Sequence, residues 1–225
     1  MGQPDARVRP VVTEVPIRDA ATLVLLREGP EGPSVLMGQR GAKAVFMPSK
    51  FVFPGGAVDP GDAEVALARP LAPAVREALA ARSTRAPEAI AAAALRELAE
   101  ETGQIVARPG PDSPPWPGFE GHAPDAGALR FVFRAITPPG RPRRFDARFL
   151  LAPAEAVVGD PDDFSAAEDE LSYLHWVPLA EARALDMPFI TEVVLEEIAA
   201  IVAGSDAPGV PFFDNSGERS VFSRL

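Results

Sequence analysis

The chain has 225 residues, 47 % hydrophobic and 24 % charged, which suits one globular domain with extensions and a core of its own. A formal net charge of −10 argues against nucleic acid held by its backbone, and the absence of cysteine excludes disulfides, thiol nucleophiles and cysteine-based zinc sites. No apolar run reaches the roughly 18 residues of a membrane span. MGQPDARVRP lacks the apolar centre of an export signal, so no membrane association and a cytoplasmic protein are expected.

Residues 1–15, polar and holding two prolines, are expected to be a flexible N-terminus. AATLVLLRE (20–28) reads as a buried strand, GPEGP as a turn and SVLMGQR (34–40) as the hairpin partner. FVF (51–53) is a short strand ending at Pro54. The Ala-rich stretch 63–82 carries two prolines and predicts one or two short helices. APEAIAAAALRELAEETG (86–103) is the strongest helix signal: Pro87 suits the first turn, and Gly103 the left-handed position that closes a helix.

Downstream, QIVAR (104–108) predicts a strand and 109–127 a Pro/Gly-rich loop. LRFVFRAITP (129–138) and RFDARFLLA (144–152) predict strands joined by PGRPR. After an acidic loop (155–170), LSYLHWVP (171–178) is a further strand. PLAEARAL and FITEVVLEEIAAIVAG (189–204) predict helices, the second apolar at helical spacing. With no internal repeat or second core, a single domain over 16–204 and a polar C-terminal tail over 205–225 are expected.

The chemistry concentrates in RELAEETG. Helical spacing puts Glu97, Glu100 and Glu101 around one face and its edge, near a C-terminus whose dipole favours cations. Each like-charge pair at such spacing costs ~0.2–0.5 kcal/mol in an isolated helix. A bound divalent cation reverses that sign, because hard ions such as Mg²⁺ take carboxylate oxygen. The plain alternative for this segment alone is a solvated acidic face. Upstream, FVFPGGAVDPGD ends a strand in two glycines, which let a phosphate or metal approach the backbone and free a carbonyl. PGG alone is a turn more often than a site. The order strand, PGG, acids, then RELAEETG is far more specific.

That order resembles the Nudix hydrolase family, whose box reads G-x5-E-x7-R-E-U-x-E-E-x-G-U, with U a bulky aliphatic. Arg96, Glu97, Leu98, Glu100, Glu101 and Gly103 match, and Gly56 to Arg96 spans 40 positions, so the box is split by a 26-residue insertion. Asp62 stands at the family's first glutamate counted forward, and Glu88 counted backward; Gln104 stands where the family has an aliphatic. The resemblance implies an α/β Nudix fold, a mixed β-sheet between helices, with a helical insertion (63–86) between PGG and RELAEETG. It implies Mg²⁺ or Mn²⁺ on Glu97, Glu100 and Glu101 with the Gly55 carbonyl, and Arg96 orienting a glutamate. The implied reaction is attack of water on a phosphorus of a small X–O–P–O–P–Y substrate, and Glu170, in SAAEDE, is the first candidate for its base.

The segments VLMGQR, FVFPGGAVDPGD, RRFDARFLLA and ELSYLHWVPLAEA resemble the peroxisomal-type coenzyme A diphosphatase branch, which also carries a long insert in its box. Substrate contacts are expected from Arg40, Gly55, Gly56 and Arg144, with Arg143 and Arg148 in the same segment. Arg40 matches the first position of that branch's arginine signature, which is only partial here because the next basic residues are Lys43 and Lys50; the alternative for Arg40 is a surface arginine at a strand end. Phe46, Phe51 and Phe53 are candidates for base stacking or for plain core packing. His122 and His175 are read as structural or surface residues. The final SRL resembles a peroxisomal address, the alternative location. Competing functions are an ADP-ribose or nucleotide-sugar pyrophosphatase and a silent nucleotide-binding regulator. The insertion offers a further role, either homodimer contact or a cap over the pocket.

Overall fold

The computed structural model describes residues 15–44, 46–217 and 219–225; the expected flexible N-terminus lies outside them except for Val15. In chain order the strands are β1 (Ile17–Arg27), β2 (Ser34–Arg40), β3 (Phe51–Val52), β4 (Gly55–Ala57), β5 (Ala107–Pro109), β6 (His122–Pro124), β7 (Arg130–Ile136), β8 (Arg144–Pro153), β9 (Leu171–Pro178), β10 (Pro211–Asp214) and β11 (Val221–Arg224). The helices are α1 (Pro73–Ala80), α2 (Pro87–Thr102) and α3 (Phe189–Val202). β1 lies mid-sheet, parallel to β8 and antiparallel to β2 and β4; the main path runs β11-β10-β7-β8-β1-β2-β3, with β9 on β2.

Alternation along the strands buries both sheet faces. Leu23, Leu25, Leu36 and Leu150 pack with Ile90, Leu95 and Leu98 of α2. Val24, Met37, Phe133 and Phe149 point the other way, onto Val194, Leu195 and Ile198 of α3. Each such apolar side chain contributes ~1.5–3 kcal/mol when fully buried. This is the mixed sheet between helices that the sequence predicts. The alanines at 91–94 are fully buried, and their small side chains let α2 lie close to the sheet. Pro87 sits in the first turn of α2 and Gly103, at φ 73°, ends it.

The segment 63–86 is helical only in part. A 3-10 turn (Pro60–Glu64) runs into it and α1 starts at Pro73. Leu71 and Leu79 join the core under α2, and Arg134 on β7 donates to the carbonyls of Ala81 and Arg82. Its apolar side is therefore spent on the chain's own core.

The glycines of PGG belong to β4, because Gly55 to Ala57 pair with Thr22 to Ala20. Three expectations need correction. QIVAR gives only β5, paired with β6 away from the main sheet; Ile105 instead packs on Phe119 in a small separate cluster. PLAEARAL forms a single 3-10 turn at Ala182–Ala184, not a helix. The tail expected beyond residue 204 forms β10 and β11, which extend the main sheet through parallel pairing of Phe212 and Phe213 with β7. Two short segments, PFFD and VFSR, suffice to pair at an open sheet edge, although the polar residues between them make the local composition read as loop. The terminal SRL belongs to this hairpin, with Leu225 and Val210 exchanging backbone hydrogen bonds.

Candidate active site

The two halves of the split motif meet. Leu23 N–H donates to Pro54 O and Val58 N–H to Asp19 O, so the β1–β4 ladder bonds fall at Asp19, Ala21 and Leu23. Gly55, opposite Thr22, consequently turns its own N–H and C=O away from β1. Its N–H donates to Glu101 Oε2 at 2.8 Å, leaving the carbonyl on the same side. A Cβ on Gly55 would stand 2.7 Å from Ala21 O, and one on Gly56 would stand 2.5 Å from Glu97 Cδ. Both glycines are required by close approach, one to a strand and the other to a carboxylate.

Arg96 knots the acids together. It donates to Asp62 through Nε (2.9 Å) and Nη2 (3.1 Å), to Glu97 Oε1 (2.8 Å), to Glu100 Oε2 (3.1 Å) and to the Ala57 carbonyl (3.0 Å). Asp62 is 2 % exposed, so it fills the first acidic slot of the motif. Glu88 does not; it lies on the surface and pairs with Arg76 at 2.7 Å. The shorter Asp reaches because the 3-10 turn brings it in, fixed by its bond from the Asp59 N–H.

Burial pushes the Glu101 carboxyl up to about 8; the Gly55 hydrogen bond opposes this, and the charges of Glu170 and Glu97 add to it. Burial likewise raises Glu97 to about 7, against the Arg96 cation, with Glu100 and Glu170 adding to the rise. Arg96 is disfavoured as a cation by burial, yet Asp62 and Glu97 outweigh that and hold its pKa above the usual range. The helix end is thus a place where excess negative charge is crowded and desolvated.

Among the described residues, no group of three carboxylate or imidazole side chains stands ready to cage an ion. Arg96 accounts for this by holding one oxygen each of Glu97 and Glu100, which leaves the other oxygen of each. The donor set nonetheless fits a hard divalent cation. Glu101 Oε1 is buried with no hydrogen-bond partner, an orphan acceptor that costs stability unless something positive meets it. Glu97, Glu100 and Glu101 with the Gly55 carbonyl offer oxygen ligands alone, as Mg²⁺ or Mn²⁺ takes them.

This end opens into a groove of about 980 Å³ lined by Gly55, Gly56, Glu97, Arg40 and Glu170. Glu170 pairs with Arg40 Nη2 at 2.8 Å. The acidic loop is carried here by two bonds: Glu168 N–H to the Glu100 carbonyl, and Gln104 Nε2 to the Asp163 carbonyl. Gln104, the departure from an aliphatic, is buried and ties the loop to the helix exit.

Arg144 is a correction. It is 2 % exposed and donates to the carbonyls of Thr137, Asn215 and Ser216, so it fastens the C-terminal hairpin instead of facing the groove. Arg148, on the same strand face, is buried against Asp19 and Asp146. Arg143 lines the groove, and so do Arg18 and Arg141, two residues for which strand and turn composition carried no functional signal. Phe53 is core; Phe51 meets His175 edge-on; Phe46 lies in the groove, edge-on to Phe145 at 5.6 Å. The rings of His122 and His175 bond only to carbonyls two residues away.

No family model and no curated protein matches the chain. Among solved structures, it is similar to a NUDIX hydrolase from Alicyclobacillus acidocaldarius, at 33 % identity and a TM-score of 0.64, covering 86 % of this chain and 94 % of that one. It also resembles in fold the NUDIX domain of Shewanella oneidensis NrtR complexed with ADP ribose (15 % identity, TM-score 0.51, 88 % and 95 % covered). A third likeness is a MutT protein from Methanosarcina mazei Go1 (15 %, 0.50, 83 % and 96 %). With a relative at that identity along nearly its whole described length, the chain belongs to the Nudix hydrolase family. It is therefore an enzyme of the pyrophosphohydrolase kind, in a family that generally uses divalent metal ions.

Proposed function

We propose that the protein hydrolyses the diphosphate bond of coenzyme A or an acyl-CoA, using Mg²⁺ or Mn²⁺. The observation that carries the chemistry is the junction at Gly55 and Glu101, which puts a crowded acidic helix end and a free backbone carbonyl at one end of a long groove. Glu97, Glu100, Glu101 and the Gly55 carbonyl would hold the cation, which would supply charge neutralisation on the phosphates and a more acidic water. Glu170 takes the proton from the attacking water, and Arg40, now its partner, contacts a phosphate oxygen. Arg96 keeps Glu97 and Glu100 oriented. Coenzyme A is preferred because the resemblance to the diphosphatase branch runs through the segments that wall the groove, from VLMGQR to RRFDARF.

A second reading is ADP-ribose pyrophosphatase, favoured by the fold neighbour that holds ADP ribose. The test is a panel of coenzyme A, acetyl-CoA, ADP-ribose, a UDP-sugar and a nucleoside triphosphate with Mg²⁺ or Mn²⁺, products identified by mass. Adenosine 3′,5′-bisphosphate released from coenzyme A supports the first reading. Turnover of ADP-ribose alone replaces it with the second, and no turnover with either metal moves weight to a silent nucleotide binder.

A further inference from the structure

The cations of this acidic chain are nearly all spent. Among the described residues, lysines and arginines are paired with carboxylates across the molecule, from Arg27 with Asp162 to Arg224 with Glu197, and Arg144 is held by carbonyls. Those with no carboxylate partner are Arg18, Lys43, Arg141, Arg143 and Arg219. Arg18, Arg141 and Arg143 line the one groove described above. Lys43 lies in the loop that carries Phe46 and Met47 into that groove, and Arg219 precedes Ser220, another lining residue. In a chain with 32 acids and 22 Lys and Arg, leaving these cations unpaired around a single opening needs a reason.

Register shows which end they occupy. Thr22 of β1 faces Gly55, at the acidic end, and Arg18 lies four residues back along the same strand beside Phe145 of β8. At the rise of a strand this separates them by about 14 Å, less the reach of an arginine side chain. Between them Ala20, Ala147 and Ala135 stand in register across three strands and leave room over the sheet. The carboxylates that line the groove, Glu97 and Glu170, are at the other end. Arg141 and Arg143 flank Pro142 in the turn between β7 and β8, where proline limits the backbone between them.

We infer that Arg18, Arg141 and Arg143 form a second anion subsite, which takes a phosphomonoester on the substrate distinct from the diphosphate that is cleaved. Arginine suits this because its planar fork matches phosphate oxygens in pairs. The inference rests on the reading that the groove holds a nucleoside diphosphate substrate, and it would select among such substrates those with an additional phosphate on the nucleoside side.

The test is calorimetric titration of metal-free protein with adenosine 3′,5′-bisphosphate and with adenosine 5′-monophosphate. Wild-type protein should bind the bisphosphate at least tenfold more tightly. The Arg141→Ala/Arg143→Ala double variant should lose that preference while its circular dichroism stays unchanged, and Arg18→Ala should weaken it separately. Arg183→Ala, which removes a surface cation paired with Glu196 away from the groove, should change nothing. Equal binding of the two probes, binding of neither, or a preference that survives the double variant would overturn the subsite. Displacement of the bisphosphate by equimolar inorganic phosphate would reduce it to a general anion site and also overturn it. Because metal and turnover are absent, failure of coenzyme A as a substrate leaves this result standing, and coenzyme A turnover does not rescue a failed subsite.

Discussion

The backbone N–H of Gly55 donates a 2.8 Å hydrogen bond to Glu101 Oε2, across 46 residues of sequence. That single contact joins a strand end to a helix end and aims both at the groove. Glu101→Gln keeps an acceptor for this bond and the shape of the helix while removing a charge from the cation site. Turnover with Mg²⁺ or Mn²⁺ should fall by at least ~100-fold, more than outer partners of a metal usually cost. Far-UV circular dichroism should be unchanged. Wild-type turnover in the variant would remove Glu101 from the cation site.

The two glycines should fail differently. Gly56→Ala drives a methyl group into the Glu97 carboxylate, the end of a side chain, so activity should drop with little change in melting temperature. Gly55→Ala drives it into the β1 backbone at Ala21 and Thr22, which cannot yield, and should cost about 1–3 kcal/mol of stability. Thermal melts beside steady-state rates separate the two outcomes, and equal melting losses would contradict the assignment.

Asp62 and Glu88 competed for one slot in the sequence, and the structure seats Asp62. Asp62→Ala strips two hydrogen bonds from the buried Arg96 guanidinium and should cost roughly 3 kcal/mol along with activity. Glu88→Ala breaks a surface pair with Arg76 and should stay within about 0.5 kcal/mol with activity unchanged. Urea unfolding of the two variants gives the comparison directly.

How far the chain could be read follows from where its signals are local. The Ala-rich run, Pro87 and Gly103 mark α2 within its own residues, and the acids at helical spacing mark the chemistry. Contacts made at a distance are not written that way. Arg144 and Arg148 share a face of β8, but it is the one opposite Phe145, Ala147 and Phe149, which line the groove; only tertiary packing puts Arg144 under the C-terminal hairpin and leaves Arg143 at the groove. Gln104 breaks the family pattern because it answers to Asp163, 59 residues away. β10 and β11 give no local signal because β10 is fixed by parallel pairing with the distant β7, and β11 then adds to β10 as the outer strand. Arg18 gave no signal at all, since being unpaired is a property of the whole charge map.

Acid stability offers a test remote from the groove. Burial by itself would raise the Asp125 pKa, but hydrogen bonds from Arg69 and Arg108 outweigh it and hold the group below its ordinary 3.8. A lowered folded-state pKa means that stability is fully present above 3.8 and is lost as pH falls through the lower folded value. Asp125→Asn should therefore be less stable than wild type at pH 6, and the gap should close in acid. Chemical unfolding of both proteins between pH 6 and pH 2 measures this; a gap that does not narrow would assign Asp125 a role in packing alone.

The segment between the motif halves is accounted for by the core it enters. Leu79, on α1, is 1 % exposed and packs under α2 with Leu71, while the end of the segment hangs on Arg134 through Ala81 and Arg82. A segment that served chiefly as a partner surface would keep its large apolar side chains outward. Leu79→Ala should leave a cavity beneath the catalytic helix and cost about 2–5 kcal/mol, with the mass in gel filtration unchanged. Because α2 holds Glu97 and Glu101 from above that cavity, turnover should fall at temperatures well below the melting point. A variant of wild-type stability but altered mass would instead return the segment to the role of an interface.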